Sequence, residues 1–141
     1  MPPLWRVARH GIPQVAATAL LTLLTFCITP AEAATYVNRP GGGPVQDVVL
    51  NADTTWDVAG SPYILEAHFT VAAGVTLTIQ NGVTVQVAQN RGFWVQGTLA
   101  ATGATFTHYT GGYWLGMYLG PGAGASVLNG CTFSYGGAHN G

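Results

Sequence analysis

Residues 68 to 87 read HFTVAAGVTLTIQNGVTVQV, and the rest of the chain repeats the design of this segment. Apolar residues occupy every second position in two runs, at Val75, Leu77 and Ile79 and then at Val83, Val85 and Val87. A period of two is typical of strands with one buried face. Between the runs, Gln80-Asn81-Gly82 is too short for a crossover helix and has turn chemistry. The segment therefore predicts a strand, a bend and a second strand.

The chain also matches itself at a period of about two dozen residues. Two sets of apolar residues are spaced by 24, namely Phe69, Phe93 and Met117, and Val71, Val95 and Leu119, with Thr70, Trp94 and Tyr118 between them. Two looser sets follow, Leu77, Leu99 and Leu128, and Val85, Phe106 and Phe133. The gaps between them are rich in glycine. Strand positions that repeat while bends vary in length are typical of a solenoid.

A repeat of this length, without helical periodicity, best fits one turn of a parallel β-helix. Stacking at about 4.8 Å would turn the residues spaced by 24 into ladders. The ladders of Phe69 and Val71 would point inward, and the ladder of Thr70 would point outward. An antiparallel β-sandwich is the competing fold, since it also has short strands and turn signals, but it does not account for the repeat.

Several segments resemble known solenoids. They are Ser61-Pro62-Tyr63, Val71 to Ile79, Val95 to Gly103, Trp114 to Leu119, and Leu128 to Gly136. In this order they resemble the opening turns of secreted bacterial right-handed parallel β-helix repeat proteins of the pectate-lyase-like fold, over about residues 54 to 141. The resemblance implies the right-handed fold. It implies no activity, because that group includes polysaccharide lyases and hydrolases, adhesins and surface proteins without known chemistry.

The N-terminus has the pattern of a secretory signal peptide. Arg6 and Arg9 precede an apolar run from Val15 to Ile28, and Ala31-Glu32-Ala33 follows. A basic start, a short apolar middle and a small-x-small exit predict cleavage after Ala33. An N-terminal membrane anchor is the alternative, although the run is short for a span of about 20 residues. We expect a secreted or cell-surface protein with no membrane span in the mature chain.

This organisation divides the chain into three parts. Residues 1–33 are the predicted signal peptide, residues 34–60 a linker and N-terminal cap, and residues 61–141 about three β-helix turns. The chain stops at Gly141 just after a turn begins, so we expect the last turn to present an open edge. Such an edge predicts either a truncated C-terminus or end-to-end self-association.

Charge excludes several functions. After residue 33 only Arg39 and Arg91 oppose four carboxylates, which gives a net charge of −2 and no basic footprint for nucleic acid. Beyond Glu66 the only formal charge is Arg91. A polysaccharide lyase that uses calcium and a basic residue, or a hydrolase with two facing carboxylates, cannot be assembled from these residues. We predict no catalytic residue, no metal and no cofactor.

Individual side chains give weaker signals. Asp47, Asp53 and Asp57 are interpreted as solvated cap residues, because their spacing fits no calcium-loop motif. The scattered histidines, His68, His108 and His139, are interpreted as surface residues. The resemblance places Cys131 at an inward position before Phe133, so Cys131 is expected to be a buried structural thiol.

Aromatic residues supply the only candidate contact site. Trp94 and Tyr118, together with Trp114, would form an outward strip on which a glycan or a protein partner could pack. The sequence thus predicts an exported noncatalytic β-helix segment that acts as a structural or adhesion module at the cell surface. Two alternatives remain, the N-terminal fragment of a polysaccharide lyase or hydrolase, and a glycan-binding module.

Overall fold

The computed structural model describes residues 33–39 and 43–137. Almost all of the predicted signal peptide, including Ala31, lies outside the described residues, and so does His139. No helix in the described part of the chain is long and apolar enough to span a membrane.

The described residues form an all-β parallel solenoid of thirteen strands. The strands are β1 (Thr35–Tyr36), β2 (Val48–Leu50), β3 (Thr54–Trp56), β4 (Tyr63–Leu65), β5 (Phe69–Val71), β6 (Thr76–Ile79), β7 (Thr84–Val87), β8 (Gly92–Val95), β9 (Thr98–Thr102), β10 (Thr105–His108), β11 (Gly116–Leu119), β12 (Val127–Asn129) and β13 (Thr132–Phe133). Short 3₁₀ turns lie at Val58–Gly60 and Pro121–Ala123.

Each turn of the solenoid contributes one strand to each of three sheets. Sheet A contains β1, β4, β7, β10 and β13, sheet B contains β2, β5, β8 and β11, and sheet C contains β3, β6, β9 and β12. All strand pairs are parallel, so the chain advances by one strand spacing per turn. The predicted parallel β-helix is confirmed as an architecture.

The predicted ladders form in the predicted register. Phe69 pairs with Phe93, which pairs with Met117, and the ladders of Thr70 and Val71 lie beside it in sheet B. Phe69 and Phe93 are fully buried, as the alternation predicts. In sheet A, Val85 pairs with Phe106 and Phe106 with Phe133.

Residues 61–137 form three turns and the start of another, as predicted. The segment 34–60 adds one more turn, because its strands β1, β2 and β3 pair with the strands of the next turn. The expected ladder of Leu77, Leu99 and Leu128 is correct for its first pair only. Leu128 instead pairs with Ala101, since the bend before β12 has a different length from the bends before β6 and β9.

Aromatic rings fill the centre of the solenoid. Phe93 lies in the middle, with ring centroids 5.1 Å from Phe69 and 6.0 Å from Phe106. At the first turn Trp56 stacks on Tyr63 at 4.6 Å and is only 5% exposed. Because the rings and aliphatic side chains of successive turns pack on one another, the three sheets enclose one continuous apolar core.

Candidate functional site

The predicted aromatic strip is only partly exposed. Trp94 and Tyr118 are paired neighbours that point outward from sheet B. The His68 ring lies against Trp94, with centroids 4.5 Å apart, and Trp94 is half-buried. Tyr118 is 54% exposed. The structure therefore brings the two predicted residues together, but His68 covers part of the surface on which a ligand would stack.

Trp114 does not belong to that strip. It is 1% exposed and lies inside the last turn, where its Nε1 donates a hydrogen bond of 2.8 Å to the carbonyl of Ser134. Its backbone forms an isolated parallel bridge with Gly136. An indole in this position holds the bend between β10 and β11 in place and does not contribute to the outward strip of sheet B.

Side-chain acceptors connect successive turns at the corners of the solenoid. The Oδ1 atoms of Asp47 and Asp53 accept hydrogen bonds from the backbone N–H groups of His68 and Thr76, respectively, one turn later, at 3.0 and 2.7 Å. Asp57 Oδ1 accepts from Gly60 N–H at 3.1 Å. These aspartates are exposed, as predicted, but they also satisfy backbone donors at bends and strand starts, which the interpretation as solvated residues missed.

His68 continues the series of corner acceptors. Its Nδ1 accepts a hydrogen bond of 3.2 Å from the N–H of Gly92, the first residue of β8. His108 lies against Tyr135, with ring centroids 4.1 Å apart. Both are half-buried and structurally engaged, not simple surface histidines. Across the described ranges, no group of three or more His, Cys, Asp or Glu side chains is placed to hold a metal ion.

Cys131 and Arg91 differ in their surroundings. Cys131 is half-buried and packs against the core, with its Sγ 3.5 Å from the carbonyl oxygen of Ala101. The expected burial is only partial, because no further turn covers Cys131 among the described residues. Arg91 is exposed in the bend before β8.

A concave site that the sequence reasoning missed lies outside sheet A. Tyr36, Arg39, Glu66 and Tyr109 line a cavity of about 400 Å³. The hydroxyls of Tyr36 and Tyr109 are 3.2 Å apart, and their rings meet edge to face at 6.3 Å. The two tyrosines are 73 residues apart in sequence, so no local motif could have indicated the site.

A paired charge closes one side of this cavity. Arg39 Nη2 donates to Glu66 Oε1 at 2.9 Å, and Arg39 Nε contacts Glu66 Oε2. The pair has one hydrogen bond and one further ion contact between the guanidinium and the carboxylate. It leaves the cavity without net charge.

The hydrogen bond with Tyr36 raises the pKa of Tyr109 above its ordinary value of 10.0, and desolvation adds to the effect. A raised pKa means that folding favours the protonated hydroxyl. The resulting contribution to the stability of the folded state is complete below pH 10 and is lost as the pH rises through the raised pKa. The Tyr109 hydroxyl therefore carries its proton at neutral pH.

We expect the Tyr36→Phe variant to lower the pKa of Tyr109 towards 10, because the variant removes the hydroxyl that bonds to it. The measurement is an NMR titration of the Tyr109 ring signals. Tyr118→Phe, on sheet B, is the control and should leave the titration unchanged. An unchanged Tyr109 titration in Tyr36→Phe would show that the two hydroxyls do not interact.

The C-terminal end of the solenoid carries a second cavity, which is apolar. It has a volume of about 430 Å³ and is lined by Trp114, Met117, Leu119, Leu128 and Phe133 among others. Leu119 is 44% exposed and Phe133 46% exposed, whereas their ladder partners Val95 and Phe106 are fully buried. Residues of the core type therefore lie on the surface here.

Comparison with known proteins gives little on function. No family model matches the chain, and no solved structure matches it significantly. Among curated proteins it is similar to "Protein bark beetle" of Drosophila melanogaster, with 39% identity over 66 residues. Those residues are 47% of this chain but only 2% of the relative, so the chain spans a very small part of that protein's length. The similarity relates one stretch of the two proteins.

Proposed function

We propose that this chain is a noncatalytic structural or adhesion module at the outer surface of a cell, and that it acts by stacking through the C-terminal end of its solenoid. Export is supported by the signal pattern of residues 1–33. A relationship to bacterial right-handed β-helix proteins of the pectate-lyase-like fold is supported by the sequence resemblance and forms part of the proposal.

The use of the carboxylates supports a structural role. Within residues 33–39 and 43–137, Asp47, Asp53 and Asp57 accept backbone hydrogen bonds, and Glu66 pairs with Arg39. A carboxylate that holds a bend or a strand start is tied to the fold, whereas hydrolysis of a glycosidic bond needs two carboxyl groups that face one bond. Asp47, Asp53 and Glu66 thus connect successive turns, and Asp57 fixes a bend within one turn.

The exposed apolar end is the observation that carries the proposal. Three core ladders end at half-exposed or exposed residues, Met117, Leu119 and Phe133. The outer edges of β11, β12 and β13 also lack a further strand among the described residues. Unpaired strand edges beside apolar side chains form a template for additional strands.

The two ends of the solenoid are not equivalent. At the first turn Trp56 closes the interior and is 5% exposed. At the last turn Leu119, Leu128 and Phe133 are 44%, 37% and 46% exposed. The occupant that we propose for the open end is therefore the open end of a second copy. A two-fold axis would place one sheet edge of each copy against the same edge of its partner, and it would place the other two edges against each other. The apolar ends of both copies would then be buried.

This association is tested by sedimentation velocity of the purified protein over a range of concentrations. We expect a dimer that Leu119→Asp and Leu128→Asp each dissociate. The expected increase in the dissociation constant is about tenfold or more, since burial of a leucine contributes roughly 1.5–3 kcal/mol.

Val49→Asp is the matched control, because Val49 is 53% exposed and points outward from β2 at the first turn. It should leave the dimer intact. A wild-type protein that stays monomeric at all concentrations would refute the association. Equal dissociation by Val49→Asp would show that the C-terminal end is not the interface.

A further inference from the structure

The cavity outside sheet A has a clear structural origin in the register of the strands. Leu65 pairs with Val87 and Val87 with His108, so the next residues, Glu66, Ala88 and Tyr109, follow one another in a row along the axis. Ala88 has the smallest side chain of the three. A methyl group between a carboxylate and a phenol leaves a gap in the outer face of the sheet.

Tyr36 closes the gap from the first turn. It is the last residue of β1, and Tyr109 follows β10, so three strand spacings separate their backbones. The hydroxyls nevertheless meet at 3.2 Å, which requires the two rings to lean towards each other over the outer face of the sheet. Tyr36 is 42% exposed, so the cavity opens to solvent beside an aromatic surface.

The two charged groups that line the cavity form an ion pair, so the cavity has no net charge. The Arg39 guanidinium is paired with the Glu66 carboxylate, and about 43% of the arginine side chain is exposed. The pair presents guanidinium N–H donors and carboxylate acceptors to one side, and the tyrosine hydroxyls can donate and accept on the other. An anionic ligand would have to compete with Glu66 for Arg39, and a cationic ligand would compete with Arg39.

From this arrangement we propose that the Tyr36–Tyr109 cavity binds a neutral carbohydrate. One face of a hexopyranose is lined with C–H groups that pack on an aromatic ring, and its hydroxyls both donate and accept hydrogen bonds. The tyrosine rings supply a surface for the C–H groups, and the Arg39–Glu66 pair, which has no net charge, supplies hydrogen-bond donors and acceptors. The volume of about 400 Å³ lies within the range of small-ligand sites, which are concave and carry few polar groups. This site is separate from the open C-terminal end.

The test uses the purified protein with defined neutral probes, namely hexamers of glucose, mannose and N-acetylglucosamine, and with hexagalacturonate as the acidic comparison. Binding is measured by NMR titration of backbone amides. We expect at least one neutral hexamer to shift the signals of Glu66 and Tyr109 and to leave those of Tyr118 unchanged. Shifts produced by hexagalacturonate alone would overturn the proposal, and so would the absence of binding by all four probes.

Variants locate the site. Tyr109→Ala is expected to weaken binding roughly tenfold or more, since it removes one aromatic contact and one hydroxyl. Tyr118→Ala is the control, because it removes an exposed tyrosine from another sheet and should bind like the wild type. If Tyr118→Ala loses binding and Tyr109→Ala does not, the aromatic strip of sheet B is the site and the proposal is wrong.

Two further variants separate binding from folding and from association. Tyr109→Phe keeps the ring and should retain part of the affinity. Retained binding in this variant would show that Tyr109→Ala loses contacts with the ligand and not its fold. Leu119→Asp, at the open end, should bind the neutral probe normally. Failure of self-association would therefore leave this proposal standing, and failure of sugar binding would leave the stacking proposal standing.

Discussion

Replacement of Phe93 by alanine is expected to lower the free energy of unfolding by about 3–5 kcal/mol, because the ring lies at the centre of the core. Phe93 is fully buried at the centre of the solenoid and contacts the rings of Phe69, Phe106 and Trp56. Its removal leaves a cavity lined by rings from three other turns of the solenoid. Urea denaturation followed by circular dichroism measures the change.

Phe133→Ala is the matched control for that substitution. Phe133 stacks on Phe106 at 4.8 Å but is 46% exposed, because no turn within residues 43–137 covers it. Its truncation removes about half as much buried surface, so we expect a loss of about 1 kcal/mol at concentrations where the protein is monomeric. Equal losses for the two variants would mean that the core does not run along the axis as described.

Gly97→Ala is expected to destabilise the protein by about 3 kcal/mol, the second-largest effect, although it adds only one methyl group. Gly97 lies in the bend between β8 and β9, directly on the bend of the preceding turn. A Cβ at this position would overlap the carbonyl oxygens of Ala72 and Val75. The Val75 carbonyl already accepts a hydrogen bond of 2.8 Å from Thr98 N–H, so the two bends cannot separate without loss of that bond.

Gly124→Ala tests whether the effect comes from close approach. Gly124 lies in the corresponding bend of the next turn with φ −61°, and a Cβ there would have no neighbour within 4 Å. This substitution should be neutral or slightly stabilising, since alanine restricts the unfolded chain. Thermal unfolding of the two variants gives the comparison. A large loss in Gly124→Ala would point to a general intolerance of side chains in the bends.

Gly122 shows that the close approach recurs at this corner. A Cβ on Gly122 would overlap the carbonyl oxygen of Gln96 in the preceding turn. The glycine-rich run 120–124 forms the bend between β11 and β12 and includes the 3₁₀ turn Pro121–Ala123. Which of its glycines admit a side chain depends on the neighbouring turn, and sequence composition does not distinguish them.

The sequence alone was sufficient for the architecture and for much of the core. Alternation with a period of two assigns the inward and outward faces of a strand, and the spacing of 24 residues aligns one strand with the next. Both signals are carried by residues that are close in sequence or regularly repeated. Hence the ladders that begin at Phe69, Thr70 and Val71 were predicted residue by residue.

The tertiary structure alone decided the candidate site. The bends of a solenoid vary in length, so they set which outward residues share a row, and neither local periodicity nor a motif encodes that length. Tyr36 and Tyr109 meet only after three strands have been stacked, and the same stacking buries Trp114 and pairs Leu128 with Ala101. Local alternation determines which face of a strand each residue occupies, whereas the stacking of the turns determines which residues lie next to each other on the surface.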